Sequence, residues 1–367
     1  MANHTRPLQQ WLEKIWYDPS KANSLSRKLL TPLSYAYSGI NKLQRKIQTK
    51  KLPQLACPVI VVGNISVGGT GKTPLTIHII NLLKQAGYHP AIITRGYGGK
   101  ATSWPQAVSS QSDPYLVGDE AVQMASSTGV PVYAGANRLE SIDLLLKQHS
   151  CDVIVSDDGM QHYKLPRDIE IAVIDGKRQL GNGKCLPAGP LREPPERLKT
   201  CDFIVMNNST MAINNSDETR YFEMALKGKT LINLSTLETK PLSDLKGETI
   251  QALTGIGNPQ RFYNSLTDEG IKVIENTYPD HYAFEAFDLN FDEASTVIMT
   301  EKDAVKCKPL LDNKPESSKQ YWCLPVTATL PNEFNIALLT KLKEVLKEVK
   351  ENQNLPQNDT EGTEKNL

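Results

Sequence analysis

The sequence predicts an α/β protein built on mainly parallel sheets in two unequal units, and three observations carry that prediction. Short β-branched apolar runs recur with the length of buried strands. Helical repeats stand between several of them. Loops rich in Gly, Pro and Asp follow the strands at their carboxyl ends. At 367 residues the chain is long enough for two cores.

Residues 7–17 place Leu8, Trp11, Leu12, Ile15 and Trp16 at i, i+3, i+4, i+7 and i+8, which predicts a helix with one apolar stripe. A second helix is expected from about Leu25 to Ile47, with Leu29, Leu33, Ala36, Ile40, Leu43 and Ile47 in register. Its middle, Leu29 to Ile40, carries no charge and holds Tyr35 and Tyr37, while Arg27, Lys28, Lys42, Arg45 and Lys46 flank it. The whole chain has 41 basic and 41 acidic side chains, yet residues 1–51 hold ten basic against two acidic. A basic head on an acidic body suits a polyanionic partner, anionic lipid or nucleic acid. The aromatic, amphipathic character of both helices favours a membrane interface, although amphipathic helices also simply cap domain cores.

From Pro58 the expected strands are Val59–Val62, Ala91–Thr94, Val153–Ser156, Ile169–Ile174 and Phe203–Met206, with helices over Asp119–Ser127 and Asn137–Gln148 among those between them. Tyr221–Leu226 and Thr230–Leu234, joined by Lys-Gly-Lys, read as a hairpin and form the expected linker ribbon. Ile250–Thr254, Ile271–Ile274, Thr296–Thr300 and Tyr321–Val326 then supply a smaller parallel unit. The expected division is therefore 1–51 for the N-terminal amphipathic helices, 52–215 for the larger domain, 216–248 for the β-ribbon, 249–349 for the smaller domain and 350–367 for a disordered polar tail. The six cysteines are scattered without a C-x-x-C pair, as expected of buried thiols in a reducing compartment. The N-terminus has no secretory-signal pattern, and no apolar run approaches the roughly 18 residues that span a bilayer.

The strand Val59–Val62 leads into Ser66-Val67-Gly68-Gly69-Thr70-Gly71-Lys72-Thr73 and then into helical spacing at Leu75, Ile79, Leu82 and Leu83. Strand, glycine-rich loop and helix form the context of a phosphate-binding P-loop, so the larger domain is expected to be P-loop NTPase-like. Successive main-chain N–H groups cradle phosphate oxygens, Lys72 reaches the β- and γ-phosphates, and the Thr73 hydroxyl holds Mg²⁺. Ser66 stands where that motif has its first glycine. A small residue there still permits the turn.

Four more clusters stand at strand ends, where open α/β sheets bind ligands. Arg95 lies among the glycines of Thr94–Gly99, a mobile cationic grip on phosphate or a solvated turn residue. Asp119 and Glu120 begin a helix, where carboxylates also serve as simple dipole partners. Asp157-Asp158-Gly159-Met160-Gln161-His162 follows the strand Val153–Val155, the Walker B position for Mg²⁺. The Gly/Pro-rich loop 181–194 carries Lys184 and Arg192. In the smaller unit His281 sits in an aromatic turn, Tyr278–Tyr282, while Thr300-Glu-Lys-Asp303 has no compelling chemistry by itself.

Together these stretches, namely SVGGTGKTP, RGYGG, VGDE, DDGMQH, GNGKCLPAGPLREP, LTGIGNP, PDHY and MTEKDAVK, resemble the tetraacyldisaccharide 4′-kinases of lipid A biosynthesis. The resemblance implies transfer of the ATP γ-phosphate to the 4′-hydroxyl of a tetraacyl glucosamine disaccharide 1-phosphate, giving lipid IVA. It implies ATP and Mg²⁺ as cofactors and an acylated disaccharide as substrate. It also implies a peripheral enzyme on the cytoplasmic face of the inner membrane, held there by its N-terminal helices, with no nucleic acid and no obligate protein partner. By motif, residues 66–73 cradle ATP, and Asp119 is the base at the sugar hydroxyl, oriented by His281. Thr73, Glu120, Asp158 and Gln161 share the Mg²⁺ shell. Arg95, Asp157, His162 and Arg192 contact substrate or the transferred phosphate. The rival is a regulatory P-loop ATPase or GTPase switch at the membrane. Val67 stands where many partitioning ATPases carry a second lysine, and Met206-Asn-Asn-Ser-Thr replaces a guanine-reading N-K-x-D.

Overall fold

The structure, a computed structural model, describes residues 7–18, 20, 24–209, 220–291, 295–312 and 319–354. The helices are α1 (Pro7–Tyr17), α2 (Ser24–Gln48), α3 (Lys72–Gln85), α4 (Pro114–Val117), α5 (Asp119–Thr128), α6 (Arg138–Gln148), α7 (Pro259–Thr267), α8 (Glu301–Asp312) and α9 (Asn332–Asn354). The strands run β1 (Val59–Gly63), β2 (Pro90–Thr94), β3 (Gln106–Val108), β4 (Val132–Ala134), β5 (Val153–Asp157), β6 (Ile169–Asp175), β7 (Phe203–Asn207) and β8 (Tyr221–Lys227). They continue with β9 (Thr230–Asn233), β10 (Thr239–Pro241), β11 (Thr249–Thr254), β12 (Lys272–Thr277), β13 (Thr296–Thr300), β14 (Gln320–Leu324) and β15 (Thr327–Thr329).

A nine-stranded sheet has the order β15-β8-β7-β6-β1-β5-β2-β4-β3, parallel except at its two edge strands, β15 and β3. β1 is central and buried on both faces. Ile60 and Val62 join a core with Leu75, Ile79 and Leu83 of α3, whereas Val59 and Val61 join Ile142 and Leu145 of α6 on the opposite face. That alternation is the period of two expected of a strand, and it explains why the run is apolar throughout. The smaller sheet has the order β10-β9-β14-β13-β11-β12 and is parallel from β14 to β12. It also carries helices on both faces, with Phe262, Tyr263 and Leu266 of α7 in one core and Ala304 and Cys307 of α8 in the other.

The connection between the sheets differs from the expected hairpin. β8 and β9 lie in different sheets, and each pairs antiparallel with a returning segment, β8 with β15 and β9 with β14. The ribbon is thus two strands far apart in sequence, each crossing from one sheet to the other. As a consequence β15 and α9, expected in the smaller domain, belong to the larger one. Phe334, Leu338, Leu342 and Val345 of α9 are buried in the same core as α3. The periodic apolar face of α9 is consistent with either placement in the sequence; the shared core and the pairing of β15 with β8 decide it. α9 also runs to Asn354, into the stretch expected to be a tail, whose remainder lies outside the described residues.

α1 and α2 form at the expected positions but bury different faces. Ile15 is fully buried, and Trp16 Nε1 donates to Pro187 O at 2.9 Å, so α1 seats part of its stripe in the loop 181–194. α2 docks through its polar edge instead. Lys184 Nζ donates to Thr31 Oγ1 at 2.9 Å, Ser34 Oγ donates to Cys185 O at 2.7 Å, and Asn41 Nδ2 donates to Arg192 O at 2.8 Å. Leu29, Leu33, Ile40, Leu43 and Ile47 are left more than half exposed along one side. Among the described residues no helix is long and apolar enough to cross a membrane.

Candidate active site

The phosphate loop leaves β1 at the centre of the sheet and is braced from both flanks. Ser66 forms an isolated antiparallel bridge with Leu191, and Val67 N donates to Pro190 O at 2.9 Å. Ser66 therefore stands where a glycine's left-handed freedom is not used, bridged to loop 181–194 without a positive φ. At the other end Gly71 has φ 97°, and a Cβ there would stand 2.5 Å from Asn207 Nδ2. Asn207 uses that amide to donate to Thr70 O at 2.8 Å, and its Oδ1 accepts from Arg261 of α7 at 2.8 Å. The smaller unit thereby reaches the P-loop.

The two aspartates at the end of β5 have different environments. Asp157 is 1% exposed, and its Oδ1 accepts from Thr76 Oγ1 of α3 at 2.9 Å. Burial first, then the nearby Glu120 charge, push its carboxyl up to about 7 against the opposing pull of Lys72. The expectation of Asp157 as a substrate contact does not fit that burial, because α3 covers it. Asp158 turns out of the strand with a left-handed φ of 50°, a conformation that costs a non-glycine residue about 1–3 kcal/mol. It lies 3.5 Å from both Lys72 Nζ and Arg192 Nη1. Burial alone would raise its carboxyl, but Lys72 and Arg192 hold it below its usual range.

Gln161 is held in place by three hydrogen bonds. Its Nε2 donates to Asn64 O and to Glu193 Oε1, each at 2.9 Å, and its Oε1 accepts from Arg192 at 3.3 Å. Through Oε1 it orients Arg192, and that oxygen keeps its second lone pair for a metal shell. Thr73 stands in the first turn of α3 beside Lys72. His162 is half-buried, and burial followed by the charge of Arg138 pulls it down to about 4, so it is neutral at physiological pH. Arg95 is exposed at the end of β2 and adds to that cationic field.

On the opposite wall Gly118, with φ 97°, lets the chain pass Tyr97 O, which a Cβ would approach to 2.8 Å. Asp119 follows at the start of α5, 4% exposed, with Oδ1 accepting from Glu120 N at 2.8 Å. His281 of the smaller unit brings Nδ1 to 3.1 Å from both carboxylate oxygens. Burial would lift the Asp119 carboxyl, but the His281 hydrogen bond and the Lys302 and Lys306 charges hold it low. Burial would likewise depress His281, yet Asp119 raises it. Lys302 Nζ donates to Glu120 Oε1 at 3.2 Å and to Asp280 Oδ1 at 3.0 Å. The structure thus groups Lys72, Asp158 and Arg192 on one side and Asp119, Glu120 and His281 on the other, with the Glu120 charge felt at Asp157 between them. Lys302, Lys306, Asp303, Glu193, Asn207 and Arg261 complete the site without having been assigned from sequence. Lys302, Asp303 and Lys306 share the MTEKDAVK stretch, whose end-of-strand position was the available signal.

A lysine, carboxylates and inward-turned main-chain amides gathered at the carboxyl edge of a parallel sheet are equipment for positioning and neutralising a phosphoryl group. They place the protein among the P-loop phosphotransferases. Comparison with known proteins narrows the class: residues 26–343 match the family model of tetraacyldisaccharide-1-P 4′-kinase, and the chain belongs to that family. It is 42% identical over 338 residues to the tetraacyldisaccharide 4′-kinase of Nitrosococcus oceani, covering 91% of this chain and 95% of the relative. The corresponding protein of Legionella pneumophila is 43% identical over 325 residues, covering 88% of this chain and 95% of its own. A crystal structure of an "apo" form of LpxK from Aquifex aeolicus in complex with ATP shares the fold with a TM-score of 0.71 at 29% identity, over 87% of this chain and 99% of that one. These relatives are named as kinases, which does not favour a regulatory switch.

Proposed function

We propose that this protein transfers the γ-phosphate of ATP to the 4′-hydroxyl of a tetraacylated glucosamine disaccharide 1-phosphate, forming lipid IVA. The observation that carries the reading is the Asp119–His281 pair, which joins the two units on the same domain that carries the P-loop lysine. In a loose phosphoryl-transfer transition state most acceleration comes from alignment and charge neutralisation. Lys72 and the amides of residues 66–73 hold the terminal phosphates, Arg192 meets the transferred group, and Asp119 aims the sugar hydroxyl and accepts its proton. Arg95 and His162 line the acceptor side.

The donors present fit Mg²⁺. Asp157 Oδ2 and Asp158 Oδ1 are buried without an aligned hydrogen bond, and hard carboxylate oxygens are what this ion takes. Thr73, Glu120, Asp158 and Gln161 would hold it, with Asp157 behind. Bound there, Mg²⁺ neutralises charge on the phosphates.

The exposed apolar side of α2 supports a peripheral place on the inner membrane's cytoplasmic face, since an acylated substrate leaves a bilayer only at high cost. The test is an assay with labelled ATP, Mg²⁺ and detergent-dispersed disaccharide acceptor. Label should enter the lipid phase with wild-type protein and not with Lys72→Ala. Slow hydrolysis indifferent to the acceptor would overturn the reading.

A further inference from the structure

Asp119 has a second cationic neighbour to which the scheme above gives no role. Lys306, on α8 of the smaller unit, places its ammonium 3.0 Å from Asp303 Oδ1 and 3.7 Å from Asp119 Oδ2, and all three side chains are almost wholly buried. It lies 4.9 Å from the centroid of the Phe284 ring. Asp303 is fixed through its other oxygen, which accepts from Thr254 Oγ1 at 3.2 Å, Gly255 N at 3.0 Å and Thr300 Oγ1 at 2.6 Å. Only Oδ1 is left to face the ammonium.

Lys306 and Asp303 are a neutral pair inside one unit, and a buried pair of that kind needs no third charge. Asp119 nonetheless arrives from the larger unit and meets the same ammonium, which makes no aligned hydrogen bond to either carboxylate. The Asp119 carboxylate is thereby held on both sides, with Glu120 N on Oδ1, Lys306 beside Oδ2 and His281 Nδ1 facing both oxygens. One contact alone would leave the carboxylate free to rotate. Contacts on opposite sides fix the plane in which its lone pairs point, and a base that must accept a proton in line depends on that plane.

We propose that Lys306, seated by Asp303, is a positioning residue for phosphoryl transfer, fixing the Asp119 carboxylate when the two units are together. The proposal rests on the reading of Asp119 as the group at the sugar hydroxyl. It predicts a loss in kcat at saturating ATP and acceptor, with ATP binding spared, and that loss should run through Asp119.

The test uses the full chain in five forms: wild type, Lys306→Met, Asp303→Asn with Lys306→Met, Asp119→Asn, and Asp119→Asn with Lys306→Met. Label transfer to the acceptor gives kcat, and a fluorescent ATP analogue gives nucleotide affinity. The Asp303→Asn/Lys306→Met form leaves no unpaired charge in the smaller unit, so it keeps the fold if Lys306→Met alone does not. Expected are a loss in kcat of about tenfold or more in both Lys306→Met and that double variant, nucleotide affinity within about twofold of wild type, and no further loss when Lys306→Met is added to Asp119→Asn. Wild-type kcat in the Asp303→Asn/Lys306→Met protein, or a loss that multiplies fully with that of Asp119→Asn, would overturn the proposal. An inactive wild type would instead sink the kinase reading itself.

Discussion

His281 Nδ1 stands 3.1 Å from each oxygen of Asp119, although the two residues are 162 apart in the chain and belong to different units, Asp119 to α5 and His281 to a turn of the smaller one. Lys302 Nζ, which can only donate, lies 3.3 Å from His281 Nε2. In the neutral ring that leaves the imidazole proton on Nδ1, pointing at the carboxylate. His281 also holds a left-handed φ of 58° with its ring 4.7 Å from Tyr97, so its turn is strained into this position. Strain maintained at one residue and met by a carboxylate from another unit is an arrangement for aiming that carboxylate.

Asp119→Ala should therefore lower kcat about a hundredfold or more, while ATP affinity stays within about twofold, because Lys72 and the P-loop do not depend on Asp119. His281→Gln should lose less, since Lys306 remains 3.7 Å from the carboxylate and the Lys302 charge still acts on it. Single-turnover label transfer and nucleotide titration separate the two effects. An equally active Asp119→Ala protein would take Asp119 out of the reaction.

The same pair sets a pH dependence. His281 is raised above its ordinary value, so its contribution is full below about pH 6.5 and fades as pH climbs through its folded value. Asp119 is held below its ordinary value, so its contribution is present above about pH 4 and fades as pH falls through its folded value. The stability difference between wild type and His281→Gln should thus peak between those pH values and shrink toward pH 8. Denaturant midpoints across that range measure it, and a difference that grew toward pH 8 would contradict the assigned signs.

Much of this was legible in the chain because strands buried on both faces advertise themselves. Val59–Val62, Val153–Val155 and Val297–Met299 are apolar without interruption, and each lies within its observed strand. The short strands β4 and β15 carry three residues each, too few for a period to show. The ribbon misled because Lys-Gly-Lys looks like a hairpin turn, while the true partners, β14 and β15, lie roughly a hundred residues downstream. In the site, motif order identified Asp119 and His281. The burial of Asp157 beneath α3 depended instead on how the helix packs, and spacing does not encode that.

α2 makes a prediction about the surface. Leu29 is 70% exposed, Leu33 57% and Ile40 59%, while the opposite edge of the helix holds the hydrogen bonds to loop 181–194. Replacing all three with Ser should leave the fold intact, because none belongs to a core. If partial immersion of each contributes about 1 kcal/mol, the triple variant should partition onto anionic vesicles roughly a hundredfold less well. Vesicle co-sedimentation at two salt concentrations tests this, with unchanged partitioning counting against α2 as the contact surface. Turnover on fully detergent-dispersed acceptor should be spared, since the polar edge that touches Arg192 is untouched.

The return of the chain to the first sheet also has a measurable consequence. Phe334 of α9 is fully buried, with ring centroids 5.9 Å from Phe203 of β7 and 5.3 Å from Phe222 of β8, both packed edge-on. Phe334→Ala removes an aromatic side chain where two others converge, and such substitutions cost about 3–5 kcal/mol. The cost should fall on the larger unit, because Phe334 shares its core with α3, β7 and β8. Amide hydrogen exchange should therefore show β7 and β8 losing protection in the variant, while β11 and β13, whose cores lie in the other sheet, keep theirs. If β11 and β13 opened first, α9 would be stabilising the smaller unit, and the boundary drawn by the pairing of β15 with β8 would be misplaced.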